Sequence, residues 1–240
     1  MPPGEPTKVR TENKVQFSWA FLITAGILLC LPSPGFAQQA KAFDPAAEYQ
    51  QVMVSWLYGP YVPKDMPLLA MTPQNRLRLY ERQSFTTPGI YLKSGLVGTI
   101  EQANGTPRDW GGGAEGYSRR VASNYGQYLI QNSFSAGGNA LLQYEPRYDR
   151  CHCAGLGPRT RHALLRNLLT YNQTERELRP QFALYGAAFT SGMISSTWKP
   201  RSEVWRQGSY GMLTQAGFGS LSNWIGEFAT EINRVLRGKK

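Results

Sequence analysis

The chain has 240 residues, 41% hydrophobic and only 18% charged, with 26 Lys+Arg against 16 Asp+Glu and a net charge of +10. That length suits one domain with a real core behind any leader, and the arginine-dominated excess suits anionic partners such as a membrane surface or an envelope polymer. No basic-aromatic stretch resembles a nucleic-acid module, so nucleic acid is not expected as a partner.

Lys8, Arg10 and Lys14 precede an uncharged, mostly apolar run over 17–31, which Pro32, Pro34 and Gly35 end just before Gly35-Phe36-Ala37. A basic start, a short apolar core and small residues at the last and third-last positions predict an export signal over 1–37, cut after Ala37. The alternative is an uncleaved N-terminal anchor, although the run is shorter than the roughly 20 apolar residues that cross a bilayer. Cys30 follows the large Leu29, which argues against lipidation there. The expected location is the periplasm or an envelope membrane.

Residues 38–72 read as an irregular arm, because Pro45, Pro60, Pro63 and Pro67 recur too often for a long helix or a central strand. Trp56, Tyr58 and Tyr61 suggest that the arm lies against the body. From 73 to 240 the pattern is helical. Thr72-Pro73 is an N-cap followed by proline at the first helical position, and that segment fades near Pro88-Gly89. Leu92, Leu96 and Ile100 recur every fourth residue up to an Asn104-Gly105 stop. Tyr117, Val121, Tyr125 and Leu129 form the next stripe, ending at Gly137-Gly138, and a short segment follows over 139–144. Pro158 is expected to open a helix with Leu164, Leu165, Leu168 and Leu169 on one apolar face, and Pro180 to open another. Leu221, Ile225, Phe228, Ile232 and Val235 mark the last, whose basic end (Arg234, Arg237, Lys239, Lys240) suits the negative helix pole.

No sustained period-two alternation is found, so the predicted fold class is all-α: a compact multi-helix bundle with glycine-rich central helices. Residues 181–198 and 207–226 carry no charge. A helix without charges on any side is expected at the centre of a bundle; membrane insertion is the alternative, since small residues let helices approach closely in lipid as well. In 181–198 the predicted face is Phe182, Tyr185, Phe189 and Met193. Gly126, Gly186, Gly192 and Gly211 cost helix propensity of about 1 kcal/mol each, which close helix contact would offset.

Trp110-Gly111-Gly112-Gly113-Ala114-Glu115-Gly116-Tyr117 with Arg120, then Glu145-Pro146-Arg147-Tyr148, Arg159 with His162-Ala163, and a late Trp198-Lys199-Pro200 together resemble a family of exported, functionally uncharacterised bacterial proteins. Glu145 stands where that family commonly has Asp. The resemblance implies export and a helical, glycine-rich body, and brings no reaction with it.

Three constellations could carry chemistry. Cys151, His152 and Cys153 with His162 offer four metal-binding side chains within twelve residues, but in an oxidising compartment the cysteines are expected as a local disulfide or inert thiols, with metal binding (Cys151, Cys153, His162) or redox chemistry as alternatives. Glu145, Arg147, Asp149 and Arg150 flank a proline and suggest an ion-pair network with Arg120 or Arg159. The catalytic alternative is an anion clamp in which Arg120 and Arg147 hold a phosphate and His162 or Glu145 moves a proton. The glycines after Trp110 fit neither a P-loop nor a dinucleotide fingerprint, and no strand precedes them. The expectation is therefore a non-enzymatic envelope protein, membrane-associated or partner-binding, with no cofactor. The alternative is a hydrolase or transferase acting on a phosphorylated or lipid-linked envelope substrate.

Overall fold

The computed structural model describes residues 52–64, 66–236 and 238. The predicted export signal and the first part of the arm lie outside the described residues, as do Arg237, Lys239 and Lys240.

Within the predicted arm, chain from Val52 onward is more ordered than its prolines suggested. Strands β1 (Val54–Ser55) and β2 (Gly59–Val62) form an antiparallel hairpin pairing Val54 with Pro60 and Ser55 with Gly59. Gly59 sits at φ +82°, which closes the tight turn. Strand β3 (Tyr148–Asp149) adds in parallel to β2. Val52 and Met71 are buried against Leu79 of helix α1 (Pro73–Glu81), so this segment supplies part of the core. The strands are too short to show alternation in sequence, and the fold is accordingly mostly helical rather than all-α.

Helix α1 starts as expected: the Thr72 hydroxyl accepts from the Asn75 N–H at 3.2 Å and Pro73 occupies the first turn. A π-helical turn (Arg82–Thr86) follows, and α2 (Pro88–Ala103) stops at Asn104-Gly105, with Gly105 at φ +60°. Helix α3 (Gly113–Leu141) runs through Gly137-Gly138, where a stop was expected. A Cβ at Gly138 would stand 3.0 Å from the Ala183 Cβ, so the glycine serves a helix contact there. Helix α4 (Leu156–Leu168) begins two residues before Pro158 and leads directly into a second hairpin, β4 (Leu169–Tyr171) with β5 (Leu178–Pro180). Pro180 ends that strand instead of opening a helix, and α5 (Phe182–Ser195) begins after Gln181. The terminal stripe is divided between α6 (Val204–Glu227) and α7 (Ala229–Leu236), separated by Phe228. At the break, Arg159 Nη2 donates to the Glu227 carbonyl.

Helix α5 packs between α3 and α6, α2 lies on α3, and α4 lies on α6. Small residues permit the central contacts. A Cβ at Gly192 would collide with the Gln207 carbonyl, and one at Gly211 with the Ala188 carbonyl. Gly126 and Gly186 meet nothing within 4 Å, so the packing expected of them is absent. The contact face of α5 is Ala183, Ala187, Ala188, Ser191, Gly192 and Ser195. Of the predicted face, Phe189 and Met193 do pack against Gly208 of α6, whereas Phe182 is 67% exposed.

The same inversion holds elsewhere. On α3 the buried side chains include Arg120, Ser123, Asn124, Gln127 and Gln131, and on α4 Arg166 and Asn167. Leu92, Leu96 and Ile100 on α2, and Leu164, Leu165 and Leu168 on α4, are all exposed. Periodicity located these stripes; it did not say which way they point. The polar interior is hydrogen-bonded across helices: Gln131 to Gln215 at 2.7 Å, Trp198 Nε1 to Ser123 at 2.8 Å, Asn124 to Glu101 at 2.7 Å. Among the described residues, no helix is long and apolar enough to cross a membrane.

Candidate functional site

The four residues proposed for an anion clamp fall into three settings rather than one, for only Glu145 and Arg147 pair with each other. Arg120 is fully buried near the N-terminal end of α3, where it donates to the carbonyls of Thr106 (2.7 Å), Pro107 (2.9 Å) and Gly111 (2.9 Å) and to Gln102 Oε1 (2.7 Å). Gly116 makes room for this arrangement, since a Cβ there would lie 2.8 Å from Arg120 Nη1 and from the Trp110 carbonyl. The Trp110–Gly116 motif is thus a loop folded around a guanidinium, with backbone carbonyls rather than N–H groups turned to the charge. Such a cage holds a cation, and Arg120 already fills it.

Glu145 and Arg147 do meet, across Pro146. Arg147 Nε reaches Oε1 at 2.7 Å and Nη2 reaches Oε2 at 2.8 Å, with both side chains almost wholly buried. Glu145 also accepts from the Arg147 N–H (3.1 Å) and from Gln173 Nε2 (2.6 Å), while Arg147 Nη2 donates to the Leu69 carbonyl at 2.6 Å. Gln173 Oε1 in turn accepts from Arg76 Nη2 (2.7 Å) and from the Met71 N–H (3.2 Å). The pair thus ties the 69–71 segment, α1 and the β4–β5 turn together. Burial lowers the Arg76 pKa, and the Glu145 carboxylate opposes that shift.

His162 Nε2 lies 2.8 Å from the Asp149 carbonyl, and the Asp149 carboxylate is held by Arg166. Arg159, expected near Glu145, instead binds Glu227 Oε1 at 2.9 Å and Glu231 Oε1 at 2.6 Å. The Arg159 hydrogen bond lowers the Glu231 pKa. Cys151 and Cys153 are joined to each other in a disulfide. Among the described residues, no group of three His, Cys, Asp or Glu side chains is placed to hold a metal ion.

Two groups missed by sequence reasoning matter more. Glu227, fully buried, accepts from Tyr148 OH (2.7 Å), the Cys151 N–H (3.0 Å) and Arg159, fastening the 148–151 segment to α6. Burial first, and then this hydrogen bond, raise the Tyr148 pKa. Its signal was a lone carboxylate closing the uncharged run 207–226. The other is Lys93, a lone cation within the otherwise uncharged 88–100 stretch.

Lys93 lies at the base of a cleft of about 400 Å³ between α2, α6 and the β1–β2 hairpin. Its ammonium stands 4.1 Å from the Tyr128 ring centroid and 5.6 Å from that of Phe218. No carboxylate or hydrogen-bond acceptor among the described residues pairs with it, and burial lowers its pKa from 10.5 to about 8. Lys199 differs: desolvation lowers its pKa too, but Glu101 lies 3.7 Å away and opposes the shift. Comparison with known protein families, with curated proteins and with solved structures found no match to this chain.

Proposed function

We propose that this is a non-catalytic, exported envelope protein that lies on an anionic lipid surface. The carrying observation is the inverted burial: arginine, glutamate, asparagine and glutamine side chains fill the helix contacts, while large apolar side chains face outward on α2, α4 and α6. Large apolar side chains exposed together on a helix face mark an interaction site. On α6 the spacing aligns Trp205, Met212, Leu213 and Trp224 on one exposed face, with Trp205 and Leu213 each 71% exposed and Arg206 exposed beside them. An apolar helix face with tryptophan and flanking arginine is what lies in a headgroup interface. The disulfide supports an oxidising compartment, in keeping with the export signal and the resemblance read from the sequence. Engagement of Arg120, Glu145, Arg147 and His162 by protein partners supports a structural role for the charged junction over catalysis.

Vesicle co-sedimentation tests the reading. The purified protein should pellet with vesicles of anionic phospholipid, less with zwitterionic ones, and the Trp205→Glu/Leu213→Glu double variant should stay in the supernatant with an unchanged circular-dichroism spectrum. Failure to pellet with either vesicle at low salt refutes it. Loss of self-association in the double variant, without vesicle binding by the parent, would make the face a protein interface instead.

A further inference from the structure

The cleft above Lys93 lies apart from the Trp205–Leu213 face of α6, although Leu92, Leu96 and Leu221 at its mouth are among the outward apolar residues, and its chemistry is more selective. Its walls include Ile90, Leu92, Leu96, Phe218, Leu221 and Ile225, and three cations reach it: Lys93, Arg147 and Arg166. No Asp or Glu among the described residues lines it. Arg147 and Arg166 are neutralised by Glu145 and Asp149. Lys93 alone brings an uncompensated charge to the cleft.

An ammonium partly withdrawn from water with no carboxylate beside it is costly to keep in a folded protein. Cation–π contact with Tyr128 and Phe218 offsets part of this cost. Beside it, Gln215 uses Oε1 to accept from Gln131, leaving its amide nitrogen as a second donor in the same wall. Toward solvent the wall changes character: Leu92, Leu96 and Leu221 are each about half exposed, at 55%, 52% and 53%. The cleft thus has a cationic, hydrogen-bond-donating base and an uncovered apolar mouth. Its volume falls in the range of small-molecule sites.

We propose that this cleft binds a long-chain carboxylate, its head group paired with the Lys93 ammonium and its chain covering Leu92, Leu96 and Leu221. The carboxylate supplies the counter-charge that the protein omits, and the chain removes exposed leucine from water. The site does not depend on lipid-surface binding, since Trp205 and Leu213 are not among its lining residues.

Isothermal titration calorimetry with dodecanoate below its micelle concentration tests the proposal. One saturable site is expected, with dodecanol binding about 10–100-fold more weakly because it lacks the charge. Lys93→Met should weaken dodecanoate by a similar factor while leaving dodecanol unchanged, and Leu221→Glu should weaken both. Equal affinity for dodecanoate and dodecanol overturns the role of Lys93. Acetate or inorganic phosphate binding as tightly as dodecanoate makes this a plain anion site and also overturns the proposal, as does no binding by any probe. The Trp205→Glu/Leu213→Glu variant should retain dodecanoate binding, so failure of the vesicle experiment and failure of this one are separable.

Discussion

Removing Arg147 should be among the most damaging single changes in the protein. In the Arg147→Ala variant Glu145 would keep two donors, the residue-147 N–H and Gln173 Nε2, but lose both guanidinium bonds while remaining almost wholly buried. Leaving one partner of a buried ion pair without its counter-charge costs about 3–5 kcal/mol, a large share of the 5–15 kcal/mol that typically separates folded from unfolded chains. Glu145→Ala should cost a similar amount, because Arg147 then retains its charge in the same site. The Glu145→Ala/Arg147→Ala double variant should lose less than the two single losses summed, by a coupling of about 1–3 kcal/mol. Urea denaturation followed by circular dichroism supplies the measurement, with the m-value checked for constancy so that midpoint shifts report stability. Additive losses below about 1 kcal/mol are the behaviour of an exposed pair; they would refute the argument. If binding of a phosphate-bearing ligand disappeared with that pattern, the anion-clamp reading would replace it.

Two further outcomes follow from the packing and from Lys93. Gly192→Ala, whose Cβ meets the Gln207 carbonyl, should destabilise by about 1–3 kcal/mol or more, whereas Gly186→Ala, with open space, should stabilise by about 0.5–1 kcal/mol through helix propensity; equal effects in thermal melts would dismiss the close-contact explanation. Folding lowers the Lys93 pKa to about 8, so between there and 10.5 the unfolded chain holds more protons and stability rises with pH. Below 8 both states are protonated and the penalty is full, so Lys93→Met should stabilise the ligand-free protein by about 1–3 kcal/mol at pH 7. The gain should fade toward pH 10.5. A gain independent of pH would count against desolvation as its cause.

The sequence by itself determined the helical character and several boundaries, because caps and breakers act within a few residues: Thr72-Pro73 starts α1, and Asn104-Gly105 ends α2. It also grouped Glu145 and Arg147 in one ion-pair network, since charges of opposite sign on either side of a proline have little freedom to avoid one another. What it could not contain was direction. A stripe such as Leu92, Leu96 and Ile100 reads the same whether it faces a core or the outside, and only packing of α2 on α3 turned it outward. The short strands were hidden for a related reason, for β2 and β3 pair across more than eighty residues, and two- to four-residue strands carry no period. Glu227 and Lys93 were single charges in uncharged runs, conspicuous in sequence but without visible partners. Tertiary structure alone surrounded Glu227 with Tyr148 and Arg159 and left Lys93 with two aromatic rings, because a buried charge is defined by what other segments bring to it.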